Sequence, residues 1–211
     1  MLHFDLDNER KHFIALFCAS CGSGKSYLIK YLLYELLKKG YFNDGIIICP
    51  LEDEYEPWVN EKYLYKLYSD NILINIMNEK DEIKKKKRRF IIFDDCLGSV
   101  NWNKSVILKF LTTYRHHNCS VFISTQYINR IPTHVREIAS KIFIFNQNIF
   151  RSIKAVQESF FPDKKVEEVQ KILSEHCKGY RFIYYDVRKQ NKIVTQAPGP
   201  GIYNPNWKLS N

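Results

Sequence analysis

FIALFCASCGSGKS occupies residues 13–26. Its first part, FIALFCAS at 13–20, is an apolar run of strand length. It leads into Cys21-Gly22-Ser23-Gly24-Lys25-Ser26 and then into an amphipathic helix over 25–39. Lys38 and Lys39 fall in that helix's last turn and Gly40 closes it, as helix ends require. Small residues between a strand and a helix let successive backbone N–H groups curl around a phosphate, and the helix N-terminus adds a favourable dipole. Lys25 is positioned to reach the β- and γ-phosphates, and the Ser26 hydroxyl to bind Mg²⁺. The loop differs from the usual pattern only in having Ala19 where a Gly often stands. The expected nucleotide-contacting set is Ala19, Ser20, Cys21, Gly22, Ser23, Gly24, Lys25, Ser26 and Tyr27.

Further apolar strands follow at intervals: GIIIC at 45–49, FIIF at 90–93, a strand over 120–125 and KIFIF at 141–145. Helices are expected over 104–117 and 133–140, with a polar helix over 76–88. Residues 51–71 read as loop plus a short helix. Residues 149–178 read as two helices and 180–187 as a late strand. Short apolar strands alternating with helices mean a mostly parallel central sheet with helices on both faces, an α/β fold. The expected organisation is one domain over 1–195, with a core at about 12–147 and an extension at 148–195. A tail rich in Pro and Gly follows over 196–211.

The strand at 90–93 ends in Asp94-Asp95, and ligands of open α/β sheets bind at strand carboxyl ends. Asp94 is assigned to Mg²⁺ and Asp95 to orienting the attacking water. A cap on the next element is the alternative for either acid. The strand at 120–125 ends in Ser124-Thr125-Gln126, 31 residues after Asp95. Such a polar tip can sense a γ-phosphate or its water. It points to an additional strand between the phosphate-loop strand and the acidic one. Asp95-Cys-Leu-Gly98 spells DxxG, but no NKxD follows to read guanine, which sets a GTPase aside.

Three blocks, ASCGSGKS (19–26), FIIFDDCL (90–97) and YRHHNCSVFISTQYINRIPTHVR (114–136), together resemble the FtsK/HerA superfamily of P-loop ATPases. Within it they are similar to the poxvirus-type genome-packaging ATPases of large DNA viruses and their satellites. The resemblance covers about residues 12–147. It implies a P-loop NTPase of the additional-strand type that uses ATP and Mg²⁺ to pump double-stranded DNA into a capsid. It also implies a homo-oligomeric ring, a capsid or portal partner, and action at the assembly site in the host cytoplasm, with association with the virion as a variant. Lys25, Asp95 and Gln126 are the implied catalytic groups. Arg115 is the candidate finger supplied to a neighbouring subunit, with Arg130 and Arg136 as alternatives. The acidic tip is Asp-Asp where the superfamily often has Asp-Glu. The readings from other classes are a small P-loop kinase and a nucleotide-binding scaffold without turnover.

Composition agrees with an ordinary folded domain: 211 residues, 45% hydrophobic and 26% charged. The apolar runs fall short of the roughly 20 residues a membrane helix needs, and the charged N-terminal stretch does not read as a secretory signal. The net charge of +9 is uneven: residues 84–211 hold 23 basic and 9 acidic side chains, against 9 and 14 in residues 1–83. That asymmetry suits a polyanionic partner. Lys84–Arg89 (KKKKRR) is its densest part and reads as a DNA contact, an import signal or a solvated helix end. Lys104 and Lys109 add to it. Trp58, Tyr63, Tyr65 and Tyr68 read as core or interface before base-stacking groups. Six cysteines are too few for a disulfide framework, and Cys18 and Cys21 read as small residues of a tight loop.

Overall fold

The apolar run that opens the quoted stretch forms β1 (Ile14–Cys18), with all five residues buried. A computed structural model describes it together with the rest of residues 12–51, 55 and 63–196. The loop feeds α1 (Lys25–Lys38). Next come β2 (Asp44–Ile48), β3 (Leu64–Tyr65), α2 (Asp70–Met77), α3 (Asp81–Lys86) and β4 (Arg89–Asp94). They are followed by α4 (Ser105–Thr113), β5 (Cys119–Thr125), α5 (Thr133–Ile138) and β6 (Lys141–Ile144). The chain continues through α6 (Phe150–Phe160), α7 (Val166–His176), β7 (Arg181–Asp186) and β8 (Asn191–Gln196).

The strands form one sheet in the order β3-β2-β4-β5-β1-β6-β7-β8. Pairing is parallel from β3 through β6, and β7 and β8 add antiparallel. β5 thus lies between β1 and β4, as its polar tip suggested. Side chains alternate across each strand. Phe13, Ala15 and Phe17 face α1, in a layer that includes Phe90, Phe122, Phe143 and Phe182. Ile14, Leu16 and Cys18 face the other way, into the cluster that holds apolar residues of α2, α4, α5, α6 and α7. Helices on both faces explain why the central strands are unbroken apolar runs.

Three readings need correction. The single helix expected over 76–88 is two: α2 ends at Met77 and α3 starts at Asp81. α2 exists because Ile72, Leu73 and Ile76 make a buried stripe. α3 buries no residue; Asp81 and Glu82 in its first turn and Lys84, Lys85 and Lys86 in its last complement the helix dipole instead. β8 had no apolar signal because it is an edge strand with largely exposed residues. Gln196, read as the first tail residue, closes β8; positions 197–211, 1–11 and Trp58 lie outside the described residues.

Lys141 and Asp186 sit opposite one another across β6 and β7 as a buried ion pair of 3.0 Å. Burial pushes the Asp186 carboxyl up, but the Lys141 hydrogen bond and charge outweigh it and hold the group below its ordinary value. A depressed carboxylate contributes stability that is complete above its unfolded value, about 4, and drains as pH falls through its folded one. Lys141→Met strands that carboxylate. Denaturant unfolding should show a loss of about 3 kcal/mol at neutral pH, and the gap to the parent protein should close on acidification. A gap independent of pH would remove Asp186 from this account.

Candidate active site

The phosphate loop is anchored on both sides of β1. The Ala19 N–H donates to the Thr125 carbonyl at 3.1 Å, at the end of β5. Ser20 Oγ donates to the Asn146 carbonyl at 3.1 Å, beyond the end of β6. Gly22 and Gly24 have φ of 71° and 88°, a left-handed backbone that other L-residues adopt only with strain. Ser23 Oγ is buried with no partner among the described residues, so the loop holds a spare polar group. Tyr27 follows on the first turn of α1, half-buried.

Adjacent residues of a strand point to opposite faces, yet Asp94 and Asp95 both reach Lys25. The reason is local. Asp94 ends β4 with strand geometry, and Asp95 turns into the left-handed region at φ 50°, ψ 37°, which Asp tolerates better than most residues. Lys25 is 6% exposed. Its Nζ donates to Asp95 Oδ2 and lies 3.8 Å from Asp94 Oδ1. Gln126 Nε2 donates to the same Asp95 oxygen at 2.9 Å. Asp94 is 3% exposed. Its Oδ1 accepts from Ser124 Oγ, and its Oδ2 accepts from Ser26 Oγ at 3.4 Å and from the Tyr55 hydroxyl at 2.8 Å.

The structure therefore brings Lys25, Ser26, Asp94, Asp95 and Gln126 together from three neighbouring strand ends. Tyr55 is an addition that no local pattern announced. It lies in the acidic segment after β2, fully buried, with Lys30 Nζ 5.1 Å from its ring centre. Asn146 had the signal that marked Asp94, a polar residue just past an apolar strand. Tyr180 had none. Tyr63 and Tyr68 pack against the two core clusters, and Tyr65 is 37% exposed.

Arg115 stands apart from this cluster. It is exposed in a 3-10 turn after α4, its Nε donating to the Tyr114 hydroxyl at 2.9 Å. Arg130 is exposed and lies over the Tyr127 ring. Arg136 lies neither at the nucleotide edge nor on an open surface. It is buried, donating to the Ala155 carbonyl, Ser159 Oγ and Thr133 Oγ1, and burial lowers its pKa. It ties α5 to α6. The basic run is also partly absorbed by the fold. Arg89 is 3% exposed and bridges Asp44 and Glu79. Lys87 joins the same two acids, and Lys84 Nζ donates to the Met77 carbonyl. Lys85, Lys86 and Arg88 remain exposed. Lys104 pairs with Asp70, and Lys109 is exposed. Cys18 has a buried thiol whose pKa burial raises, while Cys21 is exposed on the loop, so the two are not set up as a pair.

A phosphate loop, an acidic strand end and an interposed strand with a polar tip define the P-loop NTPase fold of the additional-strand type. The sequence profile of the family described as Poxvirus A32 protein matches residues 1–160, and the chain belongs to that family. Protein 015R of frog virus 3 is 24% identical over 177 residues, covering 80% of this chain and 54% of the relative. This chain thus spans about half of that relative's length. Protein L437 of Acanthamoeba polyphaga mimivirus is 23% identical over 209 residues, covering 90% and 72%. Among solved structures, the genome packaging NTPase B204 of Sulfolobus turreted icosahedral virus 2, bound to ATP-gammaS, superposes with a TM-score of 0.70 at 20% identity. That match covers 89% of this chain and 98% of B204.

Proposed function

We propose that this chain is the ATP-hydrolysing motor of a viral genome-packaging machine, acting as a homo-oligomeric ring that drives double-stranded DNA into a capsid. The observation that carries this reading is the contact of Lys25 and Gln126 with one oxygen of Asp95, made from three different strand ends. Lys25 and the loop N–H groups hold the β- and γ-phosphates. A phosphate competes with Asp95 for Lys25 Nζ and so frees the carboxylate. Asp95 then orients a water and takes its proton as the water oxygen joins the γ-phosphorus and the bond to the β–γ bridging oxygen breaks. Gln126 keeps Asp95 aimed and links its position to β5. Ser26 and Asp94 supply a hydroxyl and a carboxylate, the sparse oxygen set that suits Mg²⁺ when phosphate and water complete its shell. Mg²⁺ held there would neutralise phosphate charge, and Tyr55 and Ser124 orient the Asp94 carboxylate.

Membership of the A32 family and the packaging role named for B204 support the packaging assignment. The excess of basic side chains over 84–211 supports a DNA partner. Among the described residues no helix is long and apolar enough to cross a membrane. The cysteines described are free thiols, five of them buried, which suits a reducing compartment such as the cytoplasmic assembly site. A capsid or portal protein completes the proposed machine. The decisive test measures ATP turnover against added duplex DNA, with the mass of the assembly read in the same sample. Turnover that rises with DNA in a ring-sized species is the expected result; turnover that ignores DNA and needs a small phosphate acceptor would make the protein a kinase.

DNA affinity should be independent of sequence and steeply dependent on salt. Removing one cation that neutralises a DNA phosphate should reduce the log–log slope by about 0.9. Replacing Lys85, Lys86 and Arg88 with Ser tests the exposed half of the basic run and keeps the bonds that Lys84, Lys87 and Arg89 make within the fold. An unchanged slope would assign these three to a solvated face.

A further inference from the structure

Both oxygens of Asp94 are held, and the two oxygens of this carboxylate are held from different parts of the chain. Oδ1 accepts from Ser124 Oγ on the neighbouring strand β5. Oδ2 accepts from the Tyr55 hydroxyl at 2.8 Å and from Ser26 Oγ at 3.4 Å. An O–H···O bond is usually about 2.7–2.8 Å long, so Tyr55 makes the full bond and Ser26 the loose one. Ser26 is also the group whose oxygen the Mg²⁺ reading needs. Once that oxygen turns to a cation, Tyr55 is the donor left on Oδ2 among the described residues.

The Tyr55 hydroxyl is itself fixed. The end of β2, from which the chain leads to it, is tied down on both sides: the Cys49 N–H donates to the Tyr65 carbonyl and Cys96 Sγ to the Ile48 carbonyl, each at 3.0 Å. The Tyr55 ring is fully buried in the layer that α1 covers. Lys30 Nζ lies 5.1 Å from the ring centre, an attraction of cation for aromatic face. Lys30 follows Ser26 by one helical turn, so the two share a face of α1. That face meets the ring directly and the hydroxyl through Asp94. Packing alone does not account for the residue, since Phe would fill the same space; the added oxygen serves Asp94.

We propose that Tyr55 is a positioning residue that sets metal specificity: by fixing Asp94 Oδ2 it makes the site demand Mg²⁺ and discriminate against Ca²⁺. The proposal rests on the Mg²⁺ reading of Ser26 and Asp94 given above. Mg²⁺ needs near-ideal octahedral geometry at about 2.0–2.1 Å, whereas Ca²⁺ accepts flexible arrangements of about six to eight oxygens at about 2.3–2.6 Å. A carboxylate pinned on both oxygens meets the first demand and cannot swing to meet the second. Without the Tyr55 hydroxyl, Oδ2 keeps only the loose bond from Ser26 among the described residues, and Ser26 gives that bond up to the metal. Asp94 then tilts, which weakens its fit to Mg²⁺ and admits Ca²⁺.

Equilibrium binding of the non-hydrolysable analogue AMPPCP to the full chain and to Tyr55→Phe, each in Mg²⁺, Ca²⁺ or EDTA, reads this without turnover. Melting temperatures of the same samples check folding. In the parent protein Mg²⁺ should raise affinity well beyond Ca²⁺. Tyr55→Phe should lose about tenfold or more of the Mg²⁺ enhancement, the effect of one hydrogen bond to a charged group. It should keep the parent affinity in EDTA and change little in Ca²⁺. An unchanged ratio of Mg²⁺ to Ca²⁺ affinity would overturn the proposal. So would an equal loss in all three conditions, which would make Tyr55 a packing residue only. If Tyr55→Phe does not fold, Lys30→Met carries the test: it keeps the hydroxyl but releases the ring, and an unchanged ratio there overturns the proposal. If Mg²⁺ adds nothing to binding by the parent protein, the Mg²⁺ reading of Ser26 and Asp94 fails and the proposal with it, a result distinct from the others.

Discussion

Lys25→Ala should reduce ATP turnover by at least about 10²–10³-fold, because it removes the cation that faces charge building on the transferred phosphoryl group. The geometry adds a second consequence. Lys25 Nζ contacts both Asp94 and Asp95, and Asp94 is buried. Removing the cation leaves two carboxylates facing the loop without their counter-charge, so nucleotide affinity should fall along with kcat. Asp95→Asn should behave differently. It retains the oxygen that accepts from Gln126 and removes the acceptor for a proton, so ATP binding should persist while turnover collapses. Single-turnover hydrolysis with a direct binding assay separates the two variants. Near-normal turnover in Lys25→Ala would end the P-loop reading, and loss of binding in Asp95→Asn with retention in Asp94→Asn would exchange the roles of the two acids.

Arg115→Ala should cost about 10³–10⁵ in turnover if its guanidinium serves the neighbouring subunit's nucleotide. The seven residues of β5 separate it from Gln126, roughly 20 Å at about 3.3 Å per residue. Arg115 is therefore out of reach of its own phosphate loop, and its exposed side chain is tethered only through Tyr114 among the described residues. Arg136 is no longer a competitor, since its guanidinium is built into the packing of α5 against α6. Arg130, exposed near the Gln126 tip, remains the comparison. Mixing inactive Arg115→Ala with inactive Lys25→Ala subunits decides the matter. In the proposed ring, a mixed assembly would contain joints where an intact loop meets an intact arginine, so activity should return in proportion to those joints. No recovery on mixing would argue for a role within one subunit, and full activity of Arg115→Ala alone would return Arg115 to the solvated surface.

Much of this was legible in residues 13–26, 90–95 and 120–126. Each is an apolar strand that ends in polar chemistry, and parallel strands buried on both faces cannot be written any other way. Their signals are local, carried by strand period, loop glycines and a carboxyl-end acid, so no distant contact was needed to find Lys25, Asp94, Asp95 or Gln126. The place of β5 between β1 and β4 followed from the same tips, because a polar end on the 120–125 strand has its use beside the phosphate loop.

Other features depend on residues far apart in the chain, which no window of sequence contains. Tyr55 reaches Asp94 across 39 positions, and Tyr180 meets Gly24 across a gap that spans most of the domain. The fate of individual charges is of the same kind. Arg88 and Arg89 are neighbours of identical chemistry, yet one is exposed and the other is sealed between Asp44 and Glu79, because strand alternation sends them to different surroundings. Arg136, an alternative finger by its sequence position, is instead buried where α6 packs over it. Local pattern determines which elements form and what chemistry stands at their ends. Tertiary packing decides which charges remain available, because burial is set by what lands on a residue from elsewhere in the chain.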